Sequence, residues 1–468
     1  MRLFYVAIAT IALLSGCAST GDWSSDTPTK GGPKKATRVN LKTQSVSKIY
    51  APSDNLWLRI RDGFQMEPMN SPLEIEQVRW LSARPDYVHR SMARSSRYLF
   101  YIVQEVNARN MPTEIALLPF VESAFVTNAK SSAKAVGLWQ FMPATGKDFQ
   151  LTQNVFRDER RDVLQSTDAA LDYLQRLNNQ FGSWELALAA YNWGAGNVLK
   201  AQKRNQAAGL PTDYQSLTMP RETRMYVPKL MAYRQIVLDP EAYGIVLPQL
   251  ENHPYFVAID VDNDIDVALA IKLAEIPEDE FHSLNPSFNK PVILSNANQQ
   301  ILLPFGHAEI FQANLKKFNK PLSTWTAVRV SKTESVDQVA KGLGVEADSL
   351  RQVNNIPKGM RIKAGSTIII PKTNGRTGDV SSAMADNASL SLEKPPPPAP
   401  KCQKPPKGAK GSKAAKCTPV KASKGNSSGK SAASQHKSAS TGLAKSAKNG
   451  NSPTLKANSA TKGVNKNQ

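Results

Sequence analysis

A chain of 468 residues with an apolar fraction of 41% is long enough for two to four domains that each bury a core. Its net charge of +20 is unevenly distributed, because residues 401–468 hold 15 lysines and no Arg, Asp or Glu, which leaves +5 for the rest. The strong basicity therefore belongs to a tail and does not characterise the folded part. Cys17, Cys402 and Cys417 lie in the terminal segments, which excludes disulfides and thiolate zinc sites from the folded part.

The first residues are typical of an export signal. Arg2 precedes an apolar run from Leu3 to Leu14, shorter than the ~20 residues that span a bilayer but as long as a signal-peptide core. The run ends in "LSGC", which resembles a bacterial lipobox, so residues 1–16 are predicted to be a lipoprotein signal peptide and Cys17 the lipidated residue. With Ala18 rather than Asp next, the resemblance implies a lipid anchor on the periplasmic face of the outer membrane. The alternative is an ordinary signal with a chance cysteine.

A flexible tether is predicted next, and then a helical region. Residues 17–54 are rich in Ser, Thr, Lys and Gly, a composition typical of linkers. From Asn55 apolar residues recur at helical spacing, as at Leu99, Ile102, Val103 and Val106. We therefore predict a mainly α-helical region, with residues 55–94 as an N-terminal extension and 95–245 as the main domain.

Two helices of the main domain carry boundary signals. Ser166 or Thr167 is predicted to cap one helix, and Gly182 to stop it. The next helix, in "SWELALAAYNWGAG", is broken by Gly194 and Gly196, which are predicted to permit a tight turn and a close backbone approach.

After Pro248 one strand–helix–helix–strand plan occurs twice. A shift of 69 residues aligns Val267 with Val336 and Asn285 with Asn354. Apolar positions, turn residues and a closing strand followed by Pro match in order, which indicates an internal repeat. The predicted βααβ modules span 251–305 and 325–372.

Residues 373–468 are mostly Ser, Ala, Gly, Asn, Pro and Lys. So little apolar surface cannot offset the entropy of ordering, and we predict a disordered basic tail. Nucleic acid is not expected as its partner, because an exported protein rarely meets any. Attraction to cell-wall carboxylates or membrane phosphates is one alternative, and an inert solvated tail is another.

A lone acid, Glu122, closes the apolar run "LLPFVE". Such a residue is usually a solvated helix end. In a cleft with apolar walls its pKa would rise, and the acid could protonate a glycosidic oxygen. Ordinary glycosidases pair such an acid with a second carboxylate, yet the next acid downstream is Asp148. A single acid would need a nucleophile supplied by the substrate.

Four motifs resemble, in order and spacing, those of the goose-type-lysozyme-like lytic transglycosylases of glycoside hydrolase family 23. They are "ESAF" at 122–125, "GLWQFMP" at 137–143, "AYNWGAG" at 190–196 and "ETRMYV" at 222–227. Each is weak alone, and together they cover about Ser95 to Pro240. One departure is Trp139, where many relatives carry Met.

The resemblance implies a mechanism that fits one acid. Glu122 would protonate the oxygen between N-acetylmuramic acid and N-acetylglucosamine in peptidoglycan. It would then accept a proton from the C6 hydroxyl, which attacks the sugar's own C1 to leave a 1,6-anhydro end. An intramolecular nucleophile has a high effective concentration, so no second carboxylate is needed. No cofactor is implied. The alternatives are a hydrolytic muramidase and a non-catalytic peptidoglycan-binding scaffold.

The motifs also imply substrate-binding residues, each with an ordinary structural alternative. Ser123 would orient Glu122 or cap a helix, and Gln140 would hydrogen-bond the sugar or be an exposed loop amide. Tyr191 and Asn192 would line the cleft, and Tyr226 would contact Glu122 and the substrate; either tyrosine could instead be a core residue with a satisfied hydroxyl. Trp139 is predicted to form the cleft wall rather than fill the core.

The two βααβ modules resemble LysM modules, which bind glycans containing N-acetylglucosamine. In the second module, the resemblance implies a glycan groove bordered by Thr333, Ser335, Asn355 and Pro357. The first module is degenerate, with the acidic loop "DVDNDID" at 260–266. That loop fails the EF-hand pattern, because Ile265 and Ile271 stand where Gly and Glu are required. We predict a solvated loop and no metal site.

Overall fold

The computed structural model describes residues 54–295, 299–373 and 378–395. The predicted signal peptide, the lipidation site Cys17, nearly all of the tether and residues 396–468 of the tail lie outside the described residues, as do Cys402 and Cys417. No helix among the described residues is long and apolar enough to cross a membrane.

The first part of the fold is helical, as predicted. Its α-helices are α1 Leu56–Asp62, α2 Pro72–Ser82, α3 Pro85–Ser95, α4 Leu99–Ala108, α5 Leu118–Glu122, α6 Pro143–Asp148, α7 Val163–Phe181, α8 Trp184–Trp193, α9 Ala195–Ala207, α10 Arg221–Arg224 and α11 Tyr226–Leu238. Short 3₁₀ helices occupy Thr113–Leu117 and Glu241–Tyr243. The core of this part lies between α4, α7, α8 and α11, whose inward side chains are almost fully buried.

The N-terminal extension is fastened to this body by a buried carboxylate. Glu114 is completely buried and accepts hydrogen bonds from the backbone amides of Gln65 and Met66, and from Arg234 Nε at 3.1 Å. Removing one partner of such a buried ionic group leaves the other uncompensated. The link therefore holds the segment before α2 against α11.

Helix α7 begins earlier than predicted. Asp162, not Ser166 or Thr167, is its N-cap, and its carboxylate accepts from the amides of Leu164 and Gln165, both at 3.0 Å. Ser166 and Thr167 are fully buried inside the helix. The predicted stop at Gly182 is confirmed, because Gly182 ends the helix in the left-handed conformation with φ +68°.

The two modules contain the predicted order of strand, two helices and strand, and each has two additional two-residue strands that were not predicted. The first contains β1 Phe256–Asp260, β2 Ile265–Asp266, α12 Val267–Ala274, α13 Glu278–Leu284, β3 Val292–Ile293 and β4 Gln300–Pro304, and continues into α14 Phe305–Lys317. The second contains β5 Trp325–Arg329, β6 Glu334–Ser335, α15 Val336–Leu343, α16 Ala347–Asn354, β7 Arg361–Ile362 and β8 Thr367–Pro371. In each module the outer strands pair antiparallel, Phe256 opposite Pro304 and Trp325 opposite Pro371. Helix α14 was not predicted from the sequence; it closes the first module's core with Ala308 and Phe311.

A buried asparagine explains part of the internal repeat. Asn285 donates to Leu302 O and accepts from Leu302 N, at 2.9 and 2.8 Å. Asn354 makes the same pair of bonds with Ile369, at 2.8 and 2.7 Å. Each side chain ties the end of the second helix to the last strand, a position where an apolar residue would leave two backbone groups unpaired.

The prediction of disorder from Thr373 onward is wrong for residues 378–395. This segment forms α17 Ser382–Asp386 and β9 Leu392–Glu393, and β9 pairs antiparallel with β7. Val380, Ala385 and Ala388 are buried against Phe156 and Ile369. Small apolar side chains suffice here because other parts of the chain supply most of the buried surface, which composition alone does not reveal.

The acidic loop of the first module is also less solvated than predicted. Asp264 is only 1% exposed. Its carboxylate accepts from the amides of Ser295 and Val380, both at 2.9 Å. Burial raises the pKa of Asp264, while these backbone bonds oppose the shift. Asp264 therefore joins the first module to the 378–395 segment.

Candidate active site

Glu122 is the last residue of α5 and lies on a rigid support. Phe120 stacks on Tyr233 of α11 with ring centroids 4.9 Å apart, and meets the Phe125 ring edge-on at 4.5 Å. Directly after the acid, Ala124 and Phe125 have φ of +48° and +58°. That left-handed turn is strained for non-glycine residues, and strain of this kind persists only where packing enforces it. Arg94 Nε braces the turn by donating to Ala124 O at 2.8 Å.

The carboxyl of Glu122 is poised to hold a proton near neutrality. Desolvation raises its pKa to about 7, since the side chain, although partly exposed to the cleft, is closely surrounded by protein. The hydrogen bond from Tyr226 opposes this shift, the charge of Glu222 adds to it, and that of Lys229 opposes it. A group with such a pKa can act as acid and then as base at the same pH.

Tyr226, the first residue of α11, donates its hydroxyl hydrogen to Glu122 Oε1. The predicted contact between these two residues is thus present. Burial and the neighbouring Glu122 raise the pKa of Tyr226 well above its usual value, so the hydroxyl stays a donor. The other oxygen of Glu122 accepts no protein hydrogen bond that the structure describes, which leaves it for a substrate.

We expect Tyr226→Phe to raise the pKa of Glu122, because the substitution removes a hydrogen bond that stabilises the charged form of the carboxyl. The alkaline limb of the kcat/KM profile should then move to higher pH, and the maximal rate should fall about tenfold as the carboxyl loses its orientation. A pH–rate profile measures both. Tyr191→Phe is the matched control, since its hydroxyl bonds a backbone carbonyl instead of the acid. A limb that moved downward in Tyr226→Phe would contradict this account.

The loop from Gly137 to Phe141 packs against the acid's helix. Tyr191, on α8, donates to Trp139 O at 2.8 Å, and Ser123 donates to Leu138 O at 3.0 Å. Gln140 has φ +49°, and its side-chain amide donates to Gly137 O at 2.9 Å. These bonds hold the loop closed on itself and tie it to α5 and α8.

Several of the predicted site residues therefore make hydrogen bonds that stabilise the fold around Glu122. Ser123 caps α5 and bonds to backbone carbonyls, with no bond to Glu122 among the described contacts. Asn192 accepts from Thr223 Oγ1 at 2.8 Å and so joins α8 to α10. Tyr191 lies close enough to Glu122 that the charge of the carboxylate helps to raise the pKa of the Tyr191 hydroxyl, although burial is the larger cause.

The prediction that Trp139 forms the cleft wall is wrong. Its side chain has 0% exposure, and its Nε1 donates to Thr167 Oγ1 at 3.0 Å inside the core. A helix hydroxyl at the right depth satisfies the indole N–H, so the ring fills the interior.

Two charged residues near the acid were not predicted. Glu222 lies exposed on α10, and Lys229 lies one turn after Tyr226 on α11; both act on the pKa of Glu122. Glu222 is the first residue of the "ETRMYV" motif, and this motif is the sequence feature from which its position near Glu122 could have been predicted. Among the described residues, no group of three or more His, Cys, Asp or Glu side chains is arranged to hold a metal ion.

In the second module the four predicted glycan contacts lie in two segments, one at β6 and the start of α15 and the other just after α16. Thr333 Oγ1 accepts from Ala364 N at 3.1 Å, and Ser335 caps α15 in a reciprocal pair with Gln338. Asn355 ends α16 with φ +55°, and Pro357 follows it, both exposed. Thr333 and Ser335 are therefore partly used by local structure, while Asn355 and Pro357 face solvent.

Comparison with known proteins places these elements in a family. Residues 101–211 match the Transglycosylase SLT domain family, and residues 255–320 match the family described as Lytic transglycosylase MltD, LysM-like domain. The second match includes α14. The chain is 32% identical over 388 residues to the membrane-bound lytic murein transglycosylase D of Escherichia coli K12, covering 79% of this chain and 85% of that protein.

Two further relatives are more partial. A putative tributyltin chloride resistance protein of an Alteromonas species is 34% identical over 189 residues, 40% of this chain and 85% of that protein. The crystal structure of the 70 kDa soluble lytic transglycosylase of Escherichia coli matches at 23% identity with a TM-score of 0.26, over 36% of this chain and 31% of that chain.

Proposed function

This chain belongs to the family of membrane-bound lytic murein transglycosylase D, and we propose that Glu122 alone carries its proton transfers on peptidoglycan. The protein is a peptidoglycan lytic transglycosylase. The observation that supports the role of Glu122 is a carboxyl with a pKa of about 7, anchored through one oxygen by Tyr226. We propose that the bond cleaved is the β-1,4 link between N-acetylmuramic acid and N-acetylglucosamine.

The proposed reaction has two proton transfers through one carboxyl. Protonated Glu122 gives its proton to the glycosidic oxygen, and the C1–O bond breaks with its electron pair going to that oxygen. The resulting carboxylate takes the proton of the C6 hydroxyl as O6 bonds to C1. Glu122 ends protonated, as it began, and no water is consumed. A pKa near 7 serves both transfers about equally.

The main test is mass spectrometry of purified peptidoglycan digested with protein that lacks residues 1–17. Products lighter by one water than hydrolytic fragments are expected. Reducing-end products of full mass would instead support a hydrolytic muramidase. If no product formed while a folded protein still bound the sacculus, the chain would be a scaffold.

Glu222 is the specific feature that keeps the muramidase alternative open, since a second carboxylate near the acid is what water activation would require. We expect Glu222→Gln to keep most of the activity. It should also move the alkaline limb of kcat/KM to lower pH, because Glu222 helps raise the pKa of Glu122. A fall of about a hundredfold in kcat would instead mark Glu222 as a general base.

The second LysM-like module is proposed to hold the enzyme on glycan through the loops of Thr333, Ser335, Asn355 and Pro357. The exposure of Asn355 and Pro357 supports this role. The first module uses its acidic loop to bind residue 380 and is proposed to act mainly as a spacer.

The Escherichia coli relative that matches over most of this chain is named as membrane-bound, and we propose that the membrane link of this chain is a lipid on Cys17 at the periplasmic face of the outer membrane. The support is the "LSGC" sequence after a short apolar run. Cys17→Ser should abolish incorporation of labelled fatty acid and move the protein to the soluble fraction. Incorporation that survived the substitution would overturn the assignment.

A further inference from the structure

The first module is fastened at two places to the helical domain, which comprises α1 to α11. Arg97, between α3 and α4, donates to both carboxylate oxygens of Glu280 on α13, with Nε 2.8 Å from Oε1. Such a bidentate pair fixes orientation as well as distance. After α13, Ser287 O accepts from Asp158 N at 2.9 Å, and Ser287 Oγ donates to the carboxylate of Asp162 at 3.1 Å. The helical domain and the first module therefore meet in a fixed orientation.

The predicted glycan-binding positions of the second module have counterparts in the first module at the same shift of 69 residues. These counterparts are Asp264, Asp266, Pro286 and Phe288. They flank equivalent elements, because β2 and β6 each end directly before the first helix of their module. Asn285 and Asn354, at the end of the second helix, also make the same bonds to the last strand. The two modules can therefore be compared position by position.

In the first module these positions contact other parts of the same chain. Asp264 accepts from Val380 N at 2.9 Å, and Asp266 accepts from Thr324 N, in the linker before β5, at 3.0 Å. Phe288 forms an antiparallel bridge with the loop before α7 of the helical domain. One side of the first module thus binds the helical domain, and the other side binds the segments before and after the second module.

Residues 378–395, which we call the strap, contact the helical domain as well as both modules. Asn154 Nδ2, in the helical domain, donates to the backbone of α17 in the strap at 3.1 Å, and β9 of the strap pairs with β7 of the second module. Ala388 of the strap is 3% exposed and is buried against Phe156 of the helical domain and Ile369 of the second module. Detaching the strap would expose apolar surface on both parts at once, so burial of this surface holds them together.

We propose that the first module and the strap hold the second module at one fixed position relative to Glu122, so that the second module is a distant binding site on the strand that is being cleaved. The inference rests on the proposed function, because it assumes that Glu122 cleaves glycan and that the second module binds it. Once one of two fixed sites has bound a strand, the other meets the same strand at a high effective concentration. The enzyme therefore favours strands that reach both sites over fragments that reach Glu122 alone.

The fixed position is tested by a distance measurement that needs no activity. Spin labels at Lys203→Cys on α9 and Lys341→Cys on α15, both exposed positions, report the distance between the helical domain and the second module. The protein lacks residues 1–17 and carries Cys402→Ser and Cys417→Ser, so that only the introduced cysteines are labelled. Pulsed electron paramagnetic resonance should give one narrow distance distribution. A broad distribution would overturn the proposal.

The strap is tested by Ala388→Asp, which places a charge in the buried cluster with Phe156 and Ile369 and should detach the strap. The distance distribution should then broaden. The ratio of kcat/KM on long glycan strands to kcat/KM on short soluble fragments should fall about three- to tenfold, because the second module stays linked but loses its fixed position. The matched control is Ala383→Asp, the same change at an exposed strap residue, which should leave both measurements unchanged. Circular dichroism confirms that each variant is folded.

A pair of shortened chains tests the strap without adding a charge. A chain that ends at Thr373 lacks the strap and should behave like Ala388→Asp, whereas a chain that ends at Pro395 keeps it and should behave like the wild type. If loss of the strap changed neither the distance nor the ratio, the proposal would be refuted and the proposed function would stand. A broader distance with a constant ratio would also overturn it. If the wild type cleaved neither substrate, the proposed function would fail, and this proposal with it.

Discussion

Glu122→Gln is expected to lower kcat by about 10²- to 10⁴-fold, the range in which a general acid–base group contributes. The amide can still accept the Tyr226 hydrogen bond, so the geometry of the cleft should survive. It cannot give a proton to the glycosidic oxygen or take one from the C6 hydroxyl. Mass spectrometry of soluble muropeptides should show loss of the anhydro products.

The same substitution, which lowers activity, should increase the stability of the folded protein above neutral pH. The folded-state pKa of Glu122 is raised from 4.5 to about 7, so the native state binds more protons than the unfolded state between these values, and wild-type stability falls as pH rises through them. Glu122→Gln lacks this loss, and its thermal midpoint should exceed that of the wild type above about pH 7. Wild-type rates of muropeptide release from a folded Glu122→Gln protein would refute both enzymatic mechanisms.

Gly137→Ala is expected to destabilise the fold by about 2–4 kcal/mol, from overpacking and a disfavoured backbone conformation. Gly137 has φ +86°, and an added Cβ would lie 2.2 Å from Arg160 O. Arg160 is itself immobile, because it is buried, pairs with Asp158 at 2.7 Å and donates to Phe141 O. The loop would have to move, and activity would fall because that loop packs against the helix of Glu122.

Chemical denaturation measures the predicted change, with Gly196→Ala as the control. Gly196 was predicted to permit a close backbone approach, but an added Cβ there meets nothing within 4 Å, so that prediction is wrong for Gly196. The need for glycine is real at Gly194, with φ +94°. Gly196→Ala should leave the free energy of unfolding nearly unchanged. Equal stability of the two variants would contradict the steric argument at Gly137.

Local signals in the sequence singled out Glu122 as a candidate acid. The apolar run that ends at Glu122 is usually followed by a solvated acid, so the run left the burial of its carboxyl open. The family resemblance of the "ETRMYV" motif implied a contact between Tyr226 and Glu122, and this contact is present. The helices could be predicted from periodicity because a helix face is local in the chain, whereas the contact with Tyr226 was implied by the resemblance. The same local signals misjudged Trp139, since only packing decides whether an aromatic ring beside a cleft faces the cleft or the core.

Contacts between residues that are far apart in the chain could not be predicted from the sequence. The carboxylate of Asp264 holds the backbone of Val380, 116 residues away, and Glu114 holds Arg234, 120 residues away. In each pair, no local sequence pattern around one residue identifies its partner. The folded segment at 378–395 was missed for the same reason, because most of the apolar surface that buries it comes from elsewhere in the chain.

The helical body, the two βααβ modules and the candidate acid could be predicted from the amino-acid sequence, because periodicity, turn residues and an apolar run occupy consecutive positions. The pKa of about 7 at Glu122 and the positions of Glu222 and Lys229 near it follow from the tertiary structure alone. These properties depend on desolvation and on charges brought together by folding, and such distances exist only after the chain has packed.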